Sequence, residues 1–141
     1  MSKPLLEQGK KAMRKTDLAY IAGIFDGEGC ITFQKSKSHP QSVFVELTNT
    51  NEWIVRQFYF WFGGSFRNWQ SRPHWKVTWR WVAQGEGGVK FLELILPYLK
   101  LKRPQAELAI QFQNQKRAKT LTNVVEEATK VAMSHFNKRG V

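Results

Sequence analysis

Cysteine is nearly absent from this chain: Cys30 is the only one in 141 residues. That excludes an intrachain disulfide and a thiolate-ligated zinc site, and it fits a reducing compartment. Long apolar runs are missing as well, since none reaches the roughly 18 residues of a membrane span. The first sixteen residues are positively charged but lack the apolar core of a secretion signal. An intracellular protein, in a bacterial cytoplasm or an organelle, is therefore expected, with no membrane partner. Acid is the third scarcity: 11 Asp and Glu stand against 22 Lys and Arg, giving a formal charge of +11 and a pI near 10.1.

The acid that exists is concentrated. Residues 1–16 carry five basic and one acidic side chain, residues 64–82 four and none, and residues 98–119 six and one. Residues 17–63 reverse the balance, with three basic and five acidic. A basic protein with an acidic island points to a polyanion partner and a metal site in one molecule. The length suits one domain with an adequate core. We divide it into a basic N-terminal arm (1–16), a central domain (17–119) and a C-terminal helical extension (120–141).

Asp17 is a plausible N-cap for a short apolar helix over 18–25 that ends at Gly27 and Gly29. Strands are expected over 30–34, 42–48, 65–70 and 75–82, with turns at 38–41 and 71–74. A helical stripe over 51–62 is followed by Gly63-Gly64. Gly85 to Gly88 is read as a chain break before a helix over 89–96. Pro104 opens a further helix to about 119, and 120–137 is helical again. The order αββαββα, with two hairpins, predicts an α+β fold: a four-stranded antiparallel sheet with helices on one face.

Period-two alternation assigns the sheet faces. Trp75, Val77, Trp79 and Trp81 are expected inward with Phe66, Ile31 and Phe33. Thr32, Gln34, Ser36, Ser65, Arg67, Trp69, Lys76, Thr78 and Arg80 are expected outward. Lys37, Gln70 and Arg72 lie at the strand ends and in the turn, and Glu46 is the only acidic member of the outward set. Such side chains suit the base edges of a nucleic acid rather than plain solvent, because Arg and Lys match guanine and Gln matches adenine. Trp69 and Trp75, near a hairpin tip, are the aromatics best placed to stack on bases.

The segment Ile21-Ala22-Gly23-Ile24-Phe25-Asp26-Gly27-Glu28-Gly29 carries the chemistry. Ala19, Ala22 and Gly23 have almost no side chain, so another backbone can approach closely. Glu28 offers a carboxylate, and the Gly27 carbonyl offers a neutral oxygen. Magnesium accepts few protein oxygens and takes the rest from water and phosphate. One carboxylate per chain is a poor site alone, whereas two copies at a dimer axis make a good one. The four residues Asp26 to Gly29 by themselves also read as a polar turn before a strand.

The nine residues together resemble the signature of the LAGLIDADG homing endonucleases, with Glu as the final acid. Leu47-Thr48-Asn49-Thr50-Asn51 is similar to that family's second-strand ending. Phe91 to Glu107, containing Leu99-Lys100-Leu101-Lys102, is similar to its late helix–loop–helix. This resemblance implies a homodimer packed through Leu18, Ala19, Ala22, Gly23 and Asp26. It places Glu28 at the metal-binding acid with the Gly27 carbonyl beside it, Asn49 in the active-site water network, and Lys102 as the basic group that stabilises charge or polarises water. It also implies cleavage of both strands of a long, pseudo-palindromic DNA site. Mg2+ is the expected ion, with Mn2+ or Ca2+ as substitutes and Ca2+ not supporting cleavage. Rival readings are a maturase on the same fold that binds intron RNA, a non-cleaving DNA-binding regulator, and a generic RNA-binding sheet that leaves the acidic motif unexplained. Asn49 could instead cap the next helix, and Lys102 could simply hold a phosphate.

Overall fold

The computed structural model of the chain describes residues 13–35, 41–70 and 72–138. Its elements run α1 (Lys15–Glu28), β1 (Gly29–Gln34), β2 (Ser42–Asn49), α2 (Glu52–Phe62), β3 (Ser65–Trp69), β4 (Thr78–Gln84), α3 (Gly85–Ile95), a 3-10 turn (Leu96–Tyr98), α4 (Arg103–Arg117) and α5 (Asn123–Lys138). The expected α+β order is present. All strand pairs are antiparallel, in the order β1-β2-β4-β3.

The core lies between the helices and one sheet face, and it is aromatic at its centre. Trp81 is fully buried, and its ring lies 4.9 Å from Phe91 and 5.3 Å from Phe58. Its indole N–H donates to the Gly63 carbonyl at 2.6 Å, so the one polar atom of the largest core residue is satisfied. Phe25 of α1 meets Phe91 edge-on at 5.2 Å, which locks α1 against α3.

Four boundaries differ from the sequence expectation, each for a local reason. α1 begins at Lys15, and Asp17 is its third residue rather than its N-cap: the carboxylate accepts the Arg14 backbone N–H at 3.1 Å. α1 also continues through Gly27 to Glu28. Gly29 is needed for close approach rather than for a turn, because a Cβ there would sit 2.3 Å from the Phe25 ring. Gly85 to Gly88 form the first turn of α3 instead of a break. A Cβ at Gly88 would come within 2.9 Å of the Ala83 carbonyl, so this glycine lets the helix start close against the sheet.

The fourth difference is β4, which spans Thr78–Gln84 instead of 75–82. β3 has only five residues to pair with, and beyond Trp69↔Thr78 the chain closes into a loop. There the Gln70 amide donates to the carbonyls of Pro73 (3.1 Å) and Trp75. Trp75 and Val77 are therefore exposed, at 47% and 37%, rather than core. The C-terminal extension forms α5, which covers the edge strand: Met133 is buried, and the Asn137 amide donates to the Ile31 carbonyl at 3.0 Å. The expected basic arm falls mostly on residues 1–12, outside the described residues.

Candidate nucleic-acid interface and metal position

At the C-terminal end of a helix the last carbonyls lack intrahelical donors and carry the negative end of the dipole. α1 delivers that end to a junction shared with the turn before α4. The Asp26 carboxylate accepts three backbone N–H groups there, from Lys100 (2.8 Å), Leu101 (3.2 Å) and Lys102 (3.0 Å). The Lys102 ammonium, buried with its residue at 8% exposure, donates to the Asp26 carbonyl at 2.7 Å. Asp26 thus has a full set of partners within its own chain and is only 9% exposed. Glu28, two residues on, is exposed, as is Gly27.

Glu28, Gly27 and Lys102 are therefore brought to one junction, with Asp26 as the clamp. Asn49 lies two residues beyond the Gly29↔Leu47 pair, at the same end of the sheet. Its Oδ1 accepts the Asn51 N–H at 2.8 Å, while Asn51 is the residue that caps α2, accepting from the Ile54 N–H at 3.2 Å. Among the described residues no group of three or more His, Cys, Asp or Glu is assembled. The donor set of one chain, one free-standing carboxylate and the helix-end carbonyls, fits a hard cation that completes its shell with water, phosphate and a second carboxylate.

Two of the residues expected at a dimer surface are buried within the single chain. Ala22 is fully buried in the chain's own core, and Asp26 is consumed by the 100–102 backbone. The exposed face of α1 carries Ala19, Tyr20, Gly23 and Gly27, and Leu18 is half-buried beside it. A Cβ placed on Gly23 or Gly27 meets nothing within 4 Å. Tyr20 and Gly27 were not placed on this face from the sequence, although Ala19, Gly23 and Gly27 recur every four residues, as one helix face must.

On the sheet, cross-strand partners share a face, so the pairing register fixes the outward rows. Thr48, Arg80 and Arg67 form one row, Cys30, Glu46, Val82 and Ser65 the next, then Thr32, Phe44 and Gln84, with Gln34 and Ser42 at one end and Trp69 and Thr78 at the other. Phe44, Thr48 and Gln84 were not foreseen; following the alternation of β2 would have found the first two. Glu46 is not independent of its basic neighbours, because it is ion-paired with Arg80. Gln70 is occupied inside the hairpin loop, and Lys76 lies in that loop rather than on the sheet. The Arg72 guanidinium stacks 4.8 Å above the Trp75 ring at the tip. Ser36 and Lys37 fall outside the described residues.

Cys30 joins the two regions. Its thiol pKa is raised, first by burial and then by the Glu46 carboxylate, against a smaller lowering by the Lys102 ammonium. The end of α1 and the sheet face are thus within electrostatic reach of one side chain. Among the described residues, no helix is long and apolar enough to cross a membrane.

The chain matches no sequence-family profile and no curated relative. It does match solved structures. The homing endonuclease I-CvuI, in complex with its target in the presence of 2 mM Ca, superposes with a TM-score of 0.69 at 25% identity over 86% of this chain and 82% of that one. The archaeal intron-encoded homing endonuclease I-Vdi141I, complexed with DNA, gives 0.64 at 14% identity over 87% and 83%. The LAGLIDADG meganuclease I-AabMI, bound to uncleaved DNA, gives 0.61 at 15% identity, and there the match covers 82% of this chain but 42% of that one. Motif, element order and structural match agree: the chain has the fold of the LAGLIDADG homing endonucleases and carries one copy of a segment similar to their motif.

Proposed function

We propose that the protein is a homodimeric, magnesium-dependent endonuclease that cuts both strands of a long, pseudo-palindromic DNA site. The observation that carries this reading is the α1 end: an exposed carboxylate, Glu28, beside a buried lysine that the same helix holds in place. A small-residue face with empty space above it supports close packing of α1 against its twin. That packing would set two Glu28 side chains on one axis.

Within this reading Glu28 and the Gly27 carbonyl would hold the ion, which when bound would activate water and stabilise the leaving oxygen. Lys102 supplies positive charge at the developing phosphorane, and its buried ammonium is oriented in advance by the Asp26 carbonyl. Asn49 contributes an amide at the same end of the sheet for ordering water. The outward rows lie in the major groove and read base edges, while flanking Lys and Arg bind phosphate.

The test is cleavage of a DNA library carrying candidate insertion sites, with magnesium and with calcium, by wild type and by Glu28→Gln. Magnesium-dependent double-strand cutting that is lost in the variant, with DNA binding retained, is the expected result. Equal cutting by both proteins removes Glu28 from the metal site. RNA binding without cutting of any DNA in the library replaces the endonuclease with a maturase.

A further inference from the structure

The outward sheet face has one feature that neither packing nor plain phosphate attraction explains. Glu46 is the single acid among the outward residues of the four strands, and it is bound to Arg80. Its Oε2 takes both Nε and a terminal nitrogen of the guanidinium. The Arg80 guanidinium also lies 5.6 Å from the centre of the Phe44 ring, itself only 7% exposed on that face. Arg80 is therefore pinned along the sheet by a carboxylate and an aromatic ring. Its cross-strand neighbour Arg67 has no ion pair among the described residues.

An isolated ion pair at this degree of exposure, 37% for Arg80 and 26% for Glu46, adds little to stability. On a surface otherwise built to attract phosphate, an acid also weakens non-specific DNA binding. What the pair does provide is orientation and complementarity. With Nε and one terminal nitrogen engaged by Glu46, the N–H groups left over on Arg80 make a donor fork oriented by that pair. The second Glu46 oxygen, Oε1, takes part in neither contact with Arg80 and is left as an acceptor beside that fork. In the major groove a guanine offers two adjacent acceptors, N7 and O6, and its paired cytosine offers one amino donor.

Resting on the DNA-cleaving reading above, we infer that Arg80 and Glu46 act as one unit that recognises a single G·C base pair in each half of the target. Arg80 takes the guanine edge and Glu46 accepts from the cytosine amino group. Adenine in place of guanine would put an amino donor against the arginine fork, and thymine in place of cytosine would put a carbonyl against the carboxylate. The unit therefore rejects as well as attracts.

The experiment is selection of bound duplexes from a randomised library by the full chain at fixed salt, without divalent ions so that cutting does not deplete the pool. Wild type, Arg80→Gln and Glu46→Gln are compared, and thermal melting confirms that each is folded. Wild type should enrich a G·C pair at one symmetric position per half-site. Arg80→Gln should lose that preference by about tenfold or more, and every other enriched position should persist. Glu46→Gln should bind DNA at least as tightly overall while tolerating other pairs at that one position. If wild type enriches a site whose G·C positions are unchanged in both variants, the inference is overturned and the endonuclease reading stands. If wild type enriches no sequence at all, sequence-specific DNA recognition itself fails, and this inference falls with it.

Discussion

Asp26 is the residue on which the site geometry turns. Three backbone N–H groups converge on its carboxylate, and its carbonyl anchors the Lys102 ammonium. Hydrogen bonds to a charged group contribute more than neutral ones, and leaving buried donors unmade is costly. Asp26→Ala should lower stability by about 2–4 kcal/mol in urea unfolding. It should also reduce cleavage more than binding, because the backbone that carries Lys102 loses its anchor on the carboxylate while the sheet face is intact. Asp26→Asn retains one acceptor oxygen and should fall between the two. A stability unchanged by Asp26→Ala would show that the clamp does not hold the α4 turn.

Much of this was legible in the residues, and the parts that were not have physical causes. The alternation of β1 and β3 and the position of Glu28 at the α1 end follow from local periodicity. Asp26 does not: nothing in its neighbourhood announces that residues 100–102, some 75 positions away, supply its donors. Gly85 to Gly88 look like a breaker because glycine lowers helix propensity. Contact with the Ala83 carbonyl overrides that preference. Trp75 and Val77 alternate as strand residues should, yet β3 is too short to pair with them.

At the scale of elements, α3 and α4 are tied by a surface bracket whose pH dependence can be worked out. Glu86 in the first turn of α3 accepts from Gln113 at 2.7 Å and from Arg117 Nε at 2.8 Å, both on α4. Those bonds, Arg117 first, lower its pKa from 4.5 to about 2. A carboxylate whose folded pKa is depressed stabilises the fold above its unfolded pKa and loses that contribution as pH falls. The window here runs from about 4.5 down to about 2. Wild type should therefore lose thermal stability faster than Glu86→Gln between pH 5 and pH 2, a comparison that circular dichroism melts can make. Parallel melting curves would mean that solvent screens the bracket completely, which exposed pairs often allow.

For the molecule as a whole, the decisive question is what covers α1. Ala19, Tyr20, Gly23 and Gly27 face outward, and the two glycines sit in open space. A glycine inside a helix is less stable than nearly any other residue by about 0.5–1 kcal/mol. In an isolated chain Gly23 is thus a defect that any straight-chain side chain would repair without a clash. Its presence makes sense if a second backbone occupies that space. Gly23→Gln separates the two situations. If the face is bare, the variant should be slightly more stable and otherwise unchanged. If it is the dimer seam, the variant should fold with an undiminished melting point when dilute and yet sediment as a monomer. It should also fail to cut, because each half then holds a single Glu28. With a charge of +11 per chain, monomer and dimer should both bind DNA non-specifically. The dimer engages twice the phosphates, so its affinity should fall more steeply with salt. A salt slope that is the same for wild type and Gly23→Gln would place the small-residue face outside the assembly that binds DNA.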